Sequence, residues 1–352
     1  MTAEVIVGQS GHVGRLTLNR PEALHALNDG MCQAMLEALT QWRDDPSIML
    51  VMIDHMEDTR GFCAGGDIRM LASSGASDGA EARAFFATEY RLNAMIKAFP
   101  KPFVAIIDGI TMGGGVGIAA HGSHRIATER TNFAMPETGI GLFPDVGGGW
   151  FLPRLTGELG MYLALTGARL KGADVVAAGV ATHLLPSELI NNLKIQIETA
   201  DYSAGPTEML NEILRAAAHP VGEGSFEANM ETINACFAFD EAEAIIAALT
   251  ESADPWAEGV RDILLSRSPE TVKVSMRQLR EGGKLERFED NMAMEYRIGW
   301  RKVQSKDFLE GVRAVIIDKD HAPVWSPATL EEVSEADVAR YFEPLGNDEL
   351  TF

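Results

Sequence analysis

Two carboxylates stand in a stretch that offers them almost nothing polar. In FAMPETGIGLFPDVGGGWFLPRL, residues 133–155, Glu137 and Asp145 lie eight residues apart among apolar residues, glycine and proline. An isolated buried carboxylate is costly, so a chain keeps it in water or gives it a partner. The nearest downstream cation is Arg154. Acids held this way could work as a general acid and base, or one could be a nucleophile. A structural ion pair is the competing reading.

A third acid shares the pattern. Within EARAFFATEYRLNAMIKAF, Phe85, Glu89, Leu92 and Ile96 fall at i, i+4, i+7 and i+11. That spacing marks the buried face of a helix, so Glu89 is expected to point inward. It would serve either an internal ion pair or a substrate.

Glycines supply a second kind of chemistry. Gly65-Gly66 follow the run IMLVMID, and Gly113-Gly114-Gly115 follow FVAIIDGI. Glycine lets backbone approach a ligand closely, and a helix start leaves N–H donors unpaired. Two such corners brought together would aim two N–H groups at one oxygen, the geometry of an oxyanion hole. Read singly, each is a turn or packing glycine.

Rival motifs carry less. Gly115 to Ala120 fit GxGxxA after a strand, but this lies past residue 110 and no acid clearly ends the next strand. His121 and His124 have a metal-ligand spacing with no further ligand in evidence, so no metal is expected. Cys63 has no histidine in a telling relation to it, and Ser123 lacks a GxSxG context.

These residues need elements to position them. EVIVGQ and HVGRLTLN predict a hairpin turning near Gly11, and a helix starts at Asn28 or Asp29. IMLVMID and PFVAIIDG are continuous apolar runs, as expected of strands covered on both faces. A helix is predicted over roughly 80–98, GGGVGIAAHG opens another, and HRIAT is a short strand. This β–β–α rhythm argues an α/β fold. Beyond about residue 186, helical periodicity replaces strand signals, as in EAEAIIAALTES and SPETVKVSMRQLREGG. Gly205-Pro206 and HPVGEGS (219–225) read as linkers. The expected organisation is an α/β core over residues 1–200 and a helical region over 201–352.

Composition excludes several functions. Hydrophobic residues make up 46% and charged residues 23%, a globular composition. The net charge of −21 argues against nucleic-acid binding, which needs a basic surface. Three widely spaced cysteines, with no CxxC, suggest reduced thiols. No targeting segment or membrane-length apolar run stands out, so a cytoplasmic protein with no membrane partner is expected.

Taken together, GFCAGGDIRML, GITMGGGVGIAAHG and FAMPETGIGLFPDVGGGWFLPRL resemble the crotonase, or enoyl-CoA hydratase/isomerase, superfamily. LNRPEALHALN extends the likeness toward the start, and SPETVKVSMRQLREG, EYRIGWR and DFLEGVRAVIIDKDHAPVWSP extend it through the second half. These last motifs and the length resemble one branch, the 3-hydroxyisobutyryl-CoA hydrolases.

The resemblance implies a crotonase-like spiral of repeated β-β-α units with a helical C-terminal region. It implies oxyanion-hole N–H groups at Gly66 and Gly114. The stretch Phe62 to Ala64 would line the adenine pocket, with Asp67 and Ile68 in the same substrate-binding run. Arg69 would lie near the CoA phosphates, and Glu22 to Leu24 would border the nucleotide. His25 stands where the family more often has Asn. Of the two glutamates a hydratase uses, one matches Glu137 and the other falls at Gly117. Asp145 and Glu89 match positions the hydrolase branch uses for substrate binding or catalysis.

The implied activity is hydrolysis of a short β-hydroxyacyl-CoA thioester, a step of valine catabolism. Gly66 and Gly114 would hold the thioester oxygen. Glu137 would attack the carbonyl or activate water, Asp145 would bind the substrate hydroxyl and move protons, and Glu89 would orient the hydroxyl or a neighbouring group. Burial and mutual repulsion would keep one acid protonated. No metal or redox cofactor is implied, since CoA arrives with the substrate. The superfamily commonly forms trimers and dimers of trimers, which implies a homo-oligomer. A hydratase or isomerase using Glu137 alone, and a non-catalytic acyl-CoA binder, are the alternatives.

Overall fold

A computed structural model describes residues 3–56 and 59–352. Ten strands form among them: β1 Val5–Ser10, β2 Val13–Leu18, β3 Leu50–His55, β4 Gly61–Cys63, β5 Phe103–Ile107, β6 Ile110–Met112, β7 His124–Ala127, β8 Asn132–Ala134, β9 Leu170–Lys171 and β10 His183–Leu184. β1 and β2 make the expected hairpin, with Gly11 at φ +57 in its turn.

Two sheets result, ordered β1-β2-β3-β5-β7-β10 and β4-β6-β8-β9. From β2 to β10 the first sheet is parallel. Residues of β3 and β5 are buried along almost their whole length, which explains their unbroken apolar runs. Leu50, Met52, Val104 and Ile106 pack with Ile190, Leu193 and Ile197 of the helix Ile190–Thr199 and with Leu210 and Leu214 of the helix Pro206–Ala217.

Two compact units emerge from the contacts between residues. One comprises 1–66, 91–133 and 170–225; the other comprises 67–90, 134–169 and 226–352. This division follows a different course from the linear one at residue 200, which tracks the change from strands to helices. The first unit holds both sheets except Ala134, the last residue of β8. In the second, long helices Pro269–Gly282 and Phe288–Lys302 carry polar residues on their buried faces. Lys302 Nζ lies 2.8 Å from Glu270 Oε2, and the Tyr341 hydroxyl donates to the same oxygen at 2.7 Å. A buried ion pair with its remaining bonds satisfied fixes how two helices meet, whatever its net contribution to stability.

Two expectations need correction. Gly205-Pro206 is no linker: Pro206 is the first residue of a helix, where the missing N–H costs nothing and φ is already suitable. The helix opened by GGGVGIAAHG is a single turn, Gly114–Gly117, followed by turns through Gly122. The helix Asp29–Arg43 starts as expected, with Asn28 Oδ1 accepting from Met31 N at 2.9 Å.

Candidate active site

The first unit holds the glycine corners. β4 and β6 are parallel neighbours, so their carboxyl ends lie side by side. A Cβ on Gly65 would sit 3.9 Å from Gly114 N, and one on Gly115 would clash with the Cys63 carbonyl oxygen. The two corners therefore touch, and only glycine permits it at Gly115. Gly65 adopts φ +119 and Gly113 φ +48, values that turn the chain sharply at the strand ends. Gly114 starts its helical turn, where an N–H has no partner within the helix. Gly66 is bridged to Leu27 through Leu27 N donating to Gly65 O at 2.7 Å.

The segment from Arg20 to Leu27 braces this corner. Leu24 O accepts from Ala64 N at 3.0 Å, with Leu24 and His25 both at positive φ. His25 is buried; its Nδ1 accepts from Arg20 N at 3.0 Å and its Nε2 pairs with Thr59 Oγ1 at 3.1 Å. Burial and the neighbouring His55 lower its imidazole to about 4, so it stays neutral and can accept that bond. The Cys63 thiol donates to His25 O at 3.1 Å, a structural contact. His124 is held between Ser123 Oγ and Asn211 Oδ1.

The second unit holds the acids. Glu89, Glu137 and Asp145 are all buried, at 2%, 5% and 5% exposure, far below what a solvated carboxylate needs. Glu89 comes from the helix Ala80–Lys97, on the stripe the spacing predicted. Glu137 opens the turn Glu137–Ile140 after Pro136. Asp145 begins a tight turn in which Gly148 N donates to Asp145 O at 2.8 Å.

Their environments differ. Tyr90 Oη donates to Asp145 Oδ2 at 2.8 Å. Glu89 Oε1 and Glu137 Oε2 are buried with no partner among the described residues. Burial, reinforced by the charge of Asp145, pushes both glutamates well above the usual carboxylate range. Burial raises Asp145 as well, to about 7, against the Tyr90 bond that favours its ionised form. The cluster thus keeps protons at neutral pH, and Asp145 gives up its own most readily. Unpaired buried oxygens are expensive, and clusters with such displaced acidities mark functional sites.

A fourth acid escaped the sequence reading. Glu295 is fully buried on the helix Phe288–Lys302. Its carboxylate accepts from Gly147 N at 2.7 Å, Gly149 N at 2.9 Å, Asn291 Nδ2 at 2.9 Å and Gln278 Nε2 at 3.1 Å. Burial pushes it up to about 8, while the two backbone donors pull it down. A usable signal existed: Asn291, Glu295, Ile298 and Lys302 are spaced i, i+4, i+7 and i+11, a helical stripe that mixes polar residues with apolar ones. Tyr90 was missed too, because an aromatic on a buried stripe reads as core.

Asp67 caps the helix Ile68–Gly75, its Oδ1 accepting from Met70 N at 3.2 Å. Ile68 is half-buried, and exposed Arg69 donates to Ile316 O at 3.2 Å. Among the described residues no group of three His, Cys, Asp or Glu could hold a metal. No helix there is long and apolar enough to cross a membrane.

The family model described as Enoyl-CoA hydratase/isomerase matches residues 13–342. The chain belongs to the enoyl-CoA hydratase/isomerase family. Within this family it is 44% identical to the mitochondrial 3-hydroxyisobutyryl-CoA hydrolase of Gallus gallus, over 99% of this chain and 91% of that protein. The Homo sapiens protein of the same name is 42% identical over 99% and 91%. Among solved structures, a carnitinyl-CoA dehydratase from Mycobacterium thermoresistibile matches with TM-score 0.93 and 41% identity, covering 100% of this chain and 99% of that one. An enoyl-CoA hydratase from Rhodobacter sphaeroides 2.4.1 matches with TM-score 0.90 and 38% identity, covering 99% and 100%. The crotonase-like α/β fold implied by the resemblance is therefore the fold of this enoyl-CoA hydratase/isomerase family member.

Proposed function

We propose that the protein hydrolyses the thioester of 3-hydroxyisobutyryl-CoA, or of a similar short β-hydroxyacyl-CoA, to the free hydroxy acid and CoA, in valine breakdown. One observation carries the reading: Glu137 and Asp145 are buried together, electrostatically linked, while position 117 is glycine. Addition of water across a double bond would use a second glutamate there.

Gly66 and Gly114 would supply the N–H groups for the carbonyl oxygen. Glu137 passes its proton to ionised Asp145, its carboxylate then adds to the carbonyl carbon and the C–S bond breaks, with the CoA thiolate taking that proton back from Asp145. Water then cleaves the resulting anhydride. In the alternative route Glu137 takes a proton from water, which attacks directly. Asp145, with Tyr90 behind it, holds the substrate hydroxyl, and the unpaired Glu89 oxygen orients that hydroxyl or a neighbour. Ala64, Asp67, Ile68 and Arg69 border the CoA moiety. The substrate brings the only cofactor, and cytoplasmic location and homo-oligomer assembly complete the proposal.

Release of free thiol from 3-hydroxyisobutyryl-CoA tests it. Glu137→Gln and Asp145→Asn should each lower turnover by orders of magnitude, and near-normal rates in both would sink the mechanism. A hydratase or isomerase is the second reading, and the likeness to a solved carnitinyl-CoA dehydratase and a solved enoyl-CoA hydratase favours the hydratase form of it.

A further inference from the structure

The turn that carries Asp145 is strained and held from outside. Val146 sits at φ +51, a left-handed conformation that a β-branched residue adopts only under constraint. Gly147 follows at φ +88.

Glu295 provides the constraint. Its two oxygens take the Gly147 and Gly149 N–H groups, one each, and so clamp the backbone on the far side of Val146. Gln278 links the same carboxylate to the near side, its Nε2 also donating to Pro144 O at 2.7 Å. Asn291 completes the cradle from one helical turn away.

The glycines of PDVGGG are shaped to this cradle. A Cβ on Gly149 would come within 2.7 Å of Asn291 Oδ1 and 3.1 Å of Gln278 Nε2. One on Gly282 would clash with the Gly149 carbonyl oxygen and lie 2.7 Å from Asn291 Oδ1. The stretch is glycine-rich because backbone, rather than side chains, meets a buried carboxylate there.

We infer that Glu295 is the positioning residue for Asp145, acting through the Gly147 and Gly149 N–H groups to hold the Asp145 carboxyl against the Tyr90 hydroxyl. The inference rests on the proposed hydrolase reading for its effect on turnover, but its structural content does not. Gln278 and Asn291 are part of the same device: both donate to Glu295 Oε1, the oxygen that also takes the Gly149 N–H, and fix the Glu295 rotamer. This accounts for polar residues on the buried faces of two C-terminal helices, and for why those helices must accompany the acids.

The test combines turnover with a probe of Tyr90. The chain has five tyrosines, so labelling with 3-fluorotyrosine gives a short fluorine spectrum, in which Tyr90→Phe identifies the Tyr90 line. Glu295→Gln keeps the shape but turns an NH2 toward a backbone donor. It should move the Tyr90 line in the same sense as Asp145→Asn does, while Tyr162 and Tyr341 keep theirs. It should lower kcat about 100-fold with KM changed less than about threefold, as expected of a misplaced group rather than lost binding. Gln278→Met removes one donor at similar volume; it should shift the same line less, and it carries the test should Glu295→Gln not fold. A stationary Tyr90 line with unchanged kcat overturns the inference. Movement of all the lines together also overturns it, because the role would then be general stability. Wild type that releases no thiol contradicts the hydrolase reading alone, since the Tyr90 line still reports on the clamp.

Discussion

Tyr90 donates its hydroxyl proton to Asp145 Oδ2 at 2.8 Å, with both residues buried. That bond stabilises the ionised form of Asp145 and opposes the burial that raises its carboxyl to about 7. Asp145 is thereby poised to change charge near neutrality, beside Glu89 and Glu137, which are held well above the usual range.

Removing the phenol should displace that poise. In Tyr90→Phe the ionised form loses its donor, so the carboxyl rises further. If turnover requires ionised Asp145, the acid limb of kcat/KM, near pH 7 in wild type, moves to higher pH. Activity then falls more at pH 6.5 than at pH 9. A limb that stays in place assigns the titration to another group.

Folding stability should record the same burial. A carboxyl whose acidity is raised on folding binds its proton more tightly in the native state, so stability declines as pH climbs from the unfolded value toward the folded one. For Asp145 that window runs from its ordinary 3.8 to about 7. Asp145→Asn cannot ionise and still accepts from Tyr90. Its melting temperature should exceed that of wild type at pH 7.5 and match it more closely at pH 4.5, with a gain of about 1 to 3 kcal/mol at the higher pH. Equal melting at both pH values would mean that the aspartate pays no such penalty.

The glycine corner should fail sharply at one position. Gly115→Ala places a methyl group against the Cys63 carbonyl oxygen and must push β4 away from β6. Thiol release should fall by about 100-fold or more, as for an oxyanion donor moved out of reach. Gly8→Ala is the control, since nothing lies within 4 Å of a Cβ there. Comparable losses in both variants would deny the corner a special role.

What could be read beforehand follows from how local each signal is. β3 and β5 were legible because a strand covered on both faces is apolar throughout, and Asn28 because a cap needs only its own helix. Glu89, Glu137 and Asp145 stood out as acids in apolar surroundings. Glu295 and Tyr90 did not, because their significance lies in partners far along the chain: Gly147 and Gly149 for one, Asp145 for the other. Gly205-Pro206 misled because the same pair that breaks a chain also starts a helix. The one-turn helix at Gly114–Gly117 was overextended since apolar residues continue past its end.

The central claim is that the acids serve thioester hydrolysis rather than hydration. The direct measurement sets purified wild type against 3-hydroxyisobutyryl-CoA and crotonyl-CoA, following free thiol with the first and loss of the conjugated double bond with the second. The account predicts faster thiol release than hydration, and loss of that release by orders of magnitude in Asp145→Asn. Hydration of crotonyl-CoA that outpaces hydrolysis of the hydroxyacyl thioester, and survives Asp145→Asn, would contradict it.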